Sequence, residues 1–126
     1  MIHTTTPLDL LPHALTAYQD GVTIPKYNPT TTRTYYQDTH HFGLAGFIGV
    51  LPVKGNVWRI TTWYVLRQHR SAGHGRHLHQ AAHAHAIQHG AEVLELRTNQ
   101  PALADNFGYQ PTGRLYGQYH EYARKA

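Results

Sequence analysis

The sequence predicts an α/β domain in which a mixed sheet is built around a strand–loop–helix–strand unit. Three observations predict it. VWRITTWYVL over residues 57–66 is a continuous apolar, β-branched and aromatic run of strand length. An Ala-rich segment from His74 or Gly75 to His89 follows it and stops at Gly90, and EVLELR at 92–97 then reads as another strand. Two strands joined through a helix pair in parallel with a right-handed crossover.

The remaining elements follow in order. Residues 1–6 read as a loose start. Leu8, Leu11, Leu15 and Tyr18 recur at helical spacing behind Pro7, with Pro12 shortening or bending that helix and Gly21 ending it. Pro25, Pro29 and a Thr cluster make 22–34 an irregular connection. Within 35–53, the stretch His41–Leu51 carries Gly43, Gly46 and Gly49, which argue against a helix, so a strand is expected there, ending near Pro52. Lys54-Gly55-Asn56 turns the chain into the 57–66 strand, giving an antiparallel hairpin. Leu78, Ala82 and Ala86 form one stripe of the main helix, small enough to let it sit close on a sheet. Residues 99–107 read as a short helix or loop, 108–113 as a turn, and Arg114–Arg124 as one terminal strand paired with residues around Tyr109.

Composition narrows the function classes. A chain of 126 residues, 40% hydrophobic, suits one folded domain over residues 1–126. No run reaches the roughly 18 apolar residues of a membrane helix, and Met1–Leu15 lacks a signal-peptide pattern, so no membrane association and a cytoplasmic location are expected. Zero Cys excludes disulfides, thiolate metal sites and a Cys nucleophile. The formal charge of +4 is modest and unclustered; Arg33, Tyr35 and Tyr36 suggest nucleic acid only weakly, and no recognised motif supports it. Six His stand between 74 and 89, and His79/His83 and His85/His89 have i, i+4 spacing, but without an HExxH motif or an adjacent carboxylate no metal site is expected.

The chemistry is concentrated in YVLRQHRSAGHGRHL, residues 64–78. A strand enters a loop with Gly73 and Gly75, and a helix begins at once, leaving unpaired amides and partial positive charge at its N-terminus. Arg70 and Arg76 add charge, and the whole suits a phosphate or diphosphate.

This segment, with GFIGVLP before it, ELRTNQPA after it and the Gly108-Tyr109 pair, resembles the GNAT superfamily, the Gcn5-related N-acetyltransferases. The family's Q/R-x-x-G-x-G/A motif is filled by Arg70, Gly73 and Gly75, with Val65 at the family spacing of five residues before that Arg. The resemblance implies a mostly antiparallel mixed sheet and an acyl-CoA, acetyl-CoA in the first place, lying in a V-shaped opening between the 57–66 and 92–97 strands. It implies that Ser71, Ala72, Gly73, His74, Gly75 and Arg76 hold the diphosphate, and that the backbone of Tyr64, Val65 and Leu66 receives the pantetheine arm and polarises the thioester. Asn99 matches a family Asn that reaches the arm, with a helix cap as its other reading.

The catalytic groups do not follow the family pattern. A Tyr common about four residues before the Gly-aromatic pair is replaced by Ala104, which leaves Tyr109, Tyr116 or Tyr119 as substitutes. No carboxylate lies in the 57–66 strand; Asp38, His40 and His41 are candidates for a base, and Thr61, Thr62 and Trp63 for the acceptor side. The implied activity is acyl transfer to a primary amine, on a small molecule or on a protein. The region before residue 43, shorter than in most relatives, suggests an open groove that would suit an exposed protein amine. A catalytically reduced domain that still holds CoA is the alternative, and exposed sheet edges are compatible with a homodimer.

Overall fold

The computed structural model describes residues 2–5, 33–39, 43–70 and 72–126. Seven strands, β1 (Ile2–Thr5), β2 (Arg33–Thr39), β3 (Gly43–Lys54), β4 (Val57–Val65), β5 (Val93–Thr98), β6 (Gln110–Tyr116) and β7 (Tyr119–Lys125), form one sheet in the order β1-β2-β3-β4-β5-β7-β6. Helix α1 (His74–Gln88) connects β4 to β5 after a short 3-10 turn at Arg67–His69, and α2 (Pro101–Asn106) connects β5 to β6. Every neighbouring pair is antiparallel except β4 with β5, the pair joined through α1. The mixed, mostly antiparallel α/β architecture is the one expected.

The core lies between α1 and one face of the sheet. Leu78, Ala82 and Ala86 of α1, the expected stripe, are fully buried against Ile48 and Val50 of β3, Trp58 and Ile60 of β4, and Leu94 and Leu96 of β5. Full burial of Leu78, Ile48 or Leu94 contributes roughly 2 kcal/mol each. The Ala positions let the helix settle close to the strands, and the rings of Trp58 and His85, 5.7 Å apart, close its C-terminal end.

One glycine fixes the β3–β4 contact beside the loop. Gly46 stands opposite Val65, and a Cβ there would run into the carbonyl oxygen of Tyr64, with Val65 Cα at 3.0 Å and Leu78 Cδ1 at 3.2 Å. Backbone cannot yield as a side-chain tip does. Gly46→Ala is therefore expected to lower unfolding free energy by about 2 kcal/mol, read by urea denaturation; an unchanged midpoint would contradict this packing.

Several elements differ from the sequence reading. Ile2–Thr5 is a strand paired with β2, where a loose start was expected; its Thr-rich, β-branched run is strand-forming once a partner edge exists. Arg33–Thr39 is a strand of its own, so the irregular connection does not extend through Thr34. β3 continues past Pro52 to Lys54, because the register slips between Pro52 and Lys54 and no regular ladder bond is needed there. The single terminal strand is in fact a hairpin: Tyr116 pairs with Tyr119 across Gly117 and Gln118, and Gln110 with Ala123. The predicted helix at 7–18 lies outside the described residues.

Candidate functional site

The opening in the sheet comes from register. β4 and β5 are paired from Val57↔Val93 to Ile60↔Leu96 and no further, although β4 continues to Val65 and β5 to Thr98. Five residues of β4 thus leave its partner, about 16 Å of free edge at strand rise. At the same point β4 is bulged. Gly49 faces Thr62 while Val50 faces Ile60, so Thr61 is the extra residue. The bulge reverses the alternation. Trp58 and Ile60 face α1, and beyond the bulge so do Trp63 and Val65, both of which a Cβ on Gly75 would approach, at 3.6 and 3.7 Å.

Across this opening stands the N-terminus of α1. Gly73 adopts a left-handed backbone, φ 86°, which delivers the chain sharply into the helix and favours glycine there. Among the described residues no side chain caps the end, and the first turn has no acidic residue. Among the described residues, the first amide of the helix to find a backbone acceptor is that of His77, on Gly73 O at 3.1 Å. The preceding amides, at the helix end that stands across the opening, have no backbone acceptor among the described residues. Arg70 ties the loop down: its Nε donates to Val65 O at 2.9 Å, and its guanidinium lies 5.9 Å from the Tyr64 ring centroid.

A cavity of about 410 Å³ occupies the site, with Trp63, Val65, Arg70, Gly73, Gly75 and Phe107 in its lining. Tyr64 and His74 also line it. His74 is half-buried with its Nδ1 unpartnered among the described residues, and burial, then His69 and His77, lower its pKa. Among the described residues no carboxylate contributes to the lining. The open amides and the excess of cationic over acidic groups among the described lining residues fit an anionic ligand.

The apolar wall is an aromatic group reaching from β4 to the end of α2. The Trp63 indole Nε1 donates to Gly75 O at 3.1 Å, and its ring lies edge-on to Phe107 with centroids 4.6 Å apart. His79 sits 5.1 Å from Trp63 and shares a 2.7 Å hydrogen bond between Nε2 and the Tyr109 hydroxyl. Burial, then Arg124, His83 and Arg76, bring the pKa of His79 down to about 4. Burial raises that of Tyr109 far above the usual phenol range, against an opposing pull from Arg124.

The residues singled out in the sequence are placed as follows. Tyr64, Val65, Arg70, Gly73, His74 and Gly75 meet at the cavity. Leu66 stands at the end of β4 with its amide bonded to Ala45 O at 2.8 Å, so that donor is directed toward β3. Ala72 and Arg76 are exposed on the loop and first turn, with Arg76 5.0 Å from the Phe107 ring centroid. Ser71 and His41 lie outside the described residues. Asn99 is exposed and outside the lining, where its neighbour Gln100 stands instead. Tyr109 is buried behind the aromatic wall. Tyr116 is half-exposed on β6, its ring centroid 3.5 Å from the Arg97 guanidinium carbon, away from the cavity. Asp38 is in β2, opposite Leu44. Thr62 faces away from α1, so the bulge separates it from Trp63, which the sequence grouped with it. Sequence reasoning missed Leu103, Phe107 and Gln100, whose only signal was their position just after β5. Among the described residues no group of three or more His, Cys, Asp or Glu is placed to hold a metal, and the His85 and His89 rings stack at 4.2 Å.

The sheet is split between its two parallel strands, and the N-terminus of α1 stands across the split. Residues 9–108 match the model described as the Acetyltransferase (GNAT) family, and the chain belongs to that family. No curated protein matches it. Among solved structures, it is similar to a protein of Klebsiella pneumoniae assigned as an acyl-CoA N-acyltransferase, with 22% identity, TM-score 0.81 and coverage of 99% of this chain and 96% of that one. An aminoglycoside 6'-acetyltransferase type Ii is similar at 17% identity and TM-score 0.80, with 99% and 96% covered. N-acetylglutamate synthase of Neisseria gonorrhoeae, in complex with coenzyme A and N-acetyl-glutamate, is similar over 99% of this chain and 35% of its own, at 13% identity and TM-score 0.76.

Proposed function

We propose that the protein transfers an acyl group, acetyl in the first place, from acyl-CoA to a primary amine. The observation that carries this reading is the uncapped N-terminus of α1 facing the cavity where β4 leaves β5. Family membership supports it, and a structural neighbour is known with coenzyme A.

In this reading the amides of residues 71–76 grip the diphosphate, with Arg70 and Arg76 adding positive charge. The free edge of β4 at Trp63 and Val65 receives the pantetheine arm. Val65 O is occupied by Arg70, so Arg70 sets the loop against the strand as well as supplying charge. The bound acyl-CoA supplies an activated thioester carbonyl. The amine nitrogen attacks that carbon, the C–N bond forms, the C–S bond breaks, and the proton lost by the amine balances the one gained by the departing thiolate. Holding the two reactants together supplies much of the acceleration.

A second reading is a domain of this fold that holds CoA without turning it over, since the described lining residues include no carboxylate. Calorimetry with acetyl-CoA and CoA, followed by thiol release over a panel of small-molecule and protein amines, separates them. Binding with thiol release is the expected result; binding without release selects the second reading, and no binding of either nucleotide sinks both.

A further inference from the structure

The cavity's aromatic wall is held in one position. Trp63 is fixed through its indole nitrogen on Gly75 O, edge-on by Phe107 and on a third side by His79. Its supports are themselves fastened. His79 is hydrogen-bonded to the buried Tyr109, and Phe107 O accepts from Arg124 Nη1 at 2.7 Å. Swinging the indole aside would break its hydrogen bond and unpack two rings, so it acts as a wall and not as a gate. The ring is only partly buried, and its remaining surface lines the cavity.

Trp63 also stands at the narrowing end of the opening. It is the third residue past the last β4–β5 pair, and the bulge at Thr61 is what turns it to the α1 face. A ligand gripped at the head of α1 and lying along β4 runs back from Val65 toward Trp63, where the strands converge.

We propose that Trp63 is the residue that limits acyl length, admitting acetyl and turning away longer chains. The inference rests on the acyl-CoA reading above. An acyl group extended beyond two carbons meets a side chain with no room to retreat, and a rigid apolar pocket discriminates such additions by about tenfold or more.

The test is calorimetry of the full chain with CoA, acetyl-CoA, butyryl-CoA and hexanoyl-CoA, for the native protein, Trp63→Phe and Trp63→Ala. The native protein is expected to bind acetyl-CoA at least about tenfold more tightly than hexanoyl-CoA. Trp63→Ala is expected to bring the two within about threefold, with Trp63→Phe between. The native series needs no variant and decides the matter if Trp63→Ala fails to fold. Equal native affinity for acetyl-CoA and hexanoyl-CoA, or an unmoved ratio in the variants, would overturn the role of Trp63 while leaving CoA binding intact. A native protein that binds no member of the series, free CoA included, overturns the acyl-CoA reading itself.

Discussion

Gly75→Glu is expected to abolish acetyl-CoA binding, whereas Gly75→Ala leaves the site able to bind. Gly75 lies in the first turn of α1, where among the described residues a Cβ would meet only Trp63 Nε1 at 3.6 Å and Val65 Cγ2 at 3.7 Å. Those are ordinary van der Waals separations, so alanine fits without displacement. Glutamate would carry its carboxylate to the same uncapped amides that the diphosphate would use, occupying the donors and repelling the ligand. Like charges placed together cost several kcal/mol, about a hundredfold or more in Kd. The helix itself gains by about 0.5 kcal/mol from an acidic residue in its first turn. Loss of binding together with a preserved or raised unfolding midpoint would therefore locate the effect in the ligand site. Unaltered affinity in Gly75→Glu would place the diphosphate elsewhere on the molecule.

The parts of this site that were legible in the sequence are those fixed by local chemistry. Gly73 and Gly75 between an apolar strand and an Ala-rich helix specify a sharp turn and an open helix end without reference to the rest of the chain. The stripe of Leu78, Ala82 and Ala86 specifies the packed face in the same way. Trp63 was placed on the acceptor side together with Thr61 and Thr62, but its separation from Thr62 was not legible, because its orientation depends on the bulge at Thr61. In an unbroken strand, Trp58 and Ile60 would put Trp63 on the opposite face. Nothing local in ITTWYV announces the extra residue, which is defined only by its partners Gly49 and Val50. The terminal hairpin was missed for a related reason. Gly117 was read as one residue of a strand, when the pairing of Tyr116 with Tyr119 makes it a turn. Tyr109 and His79 show the same limit at the level of side chains: 30 residues apart in sequence, they meet only because α1 and the segment before β6 pack on one face of the sheet.

That pair sets an acid limit on stability. His79 is buried, with its pKa lowered to about 4 from an ordinary value of 6.5. Above pH 6.5 the imidazole is neutral in both folded and unfolded chains, and its contribution is fully present. Between pH 6.5 and 4 the unfolded chain takes up a proton that the folded chain refuses, so stability is lost as pH falls, by about 3 kcal/mol across the window. His74 and His83 are shifted in the same direction by burial and add to the trend. Urea denaturation at pH 7.5, 6, 5 and 4 is expected to show this decline, and His79→Gln, which keeps a polar group beside the Tyr109 hydroxyl, is expected to flatten it. A native protein whose stability holds level or rises from pH 7.5 to 5 would contradict a neutral, buried His79. The wall itself holds through that window, because folded His79 stays neutral until pH falls to about 4. Only there does protonation place a charge 5.1 Å from Trp63 and against the Tyr109 hydroxyl, so selectivity that depends on a fixed indole is expected to persist down to pH 5 and to fade near pH 4.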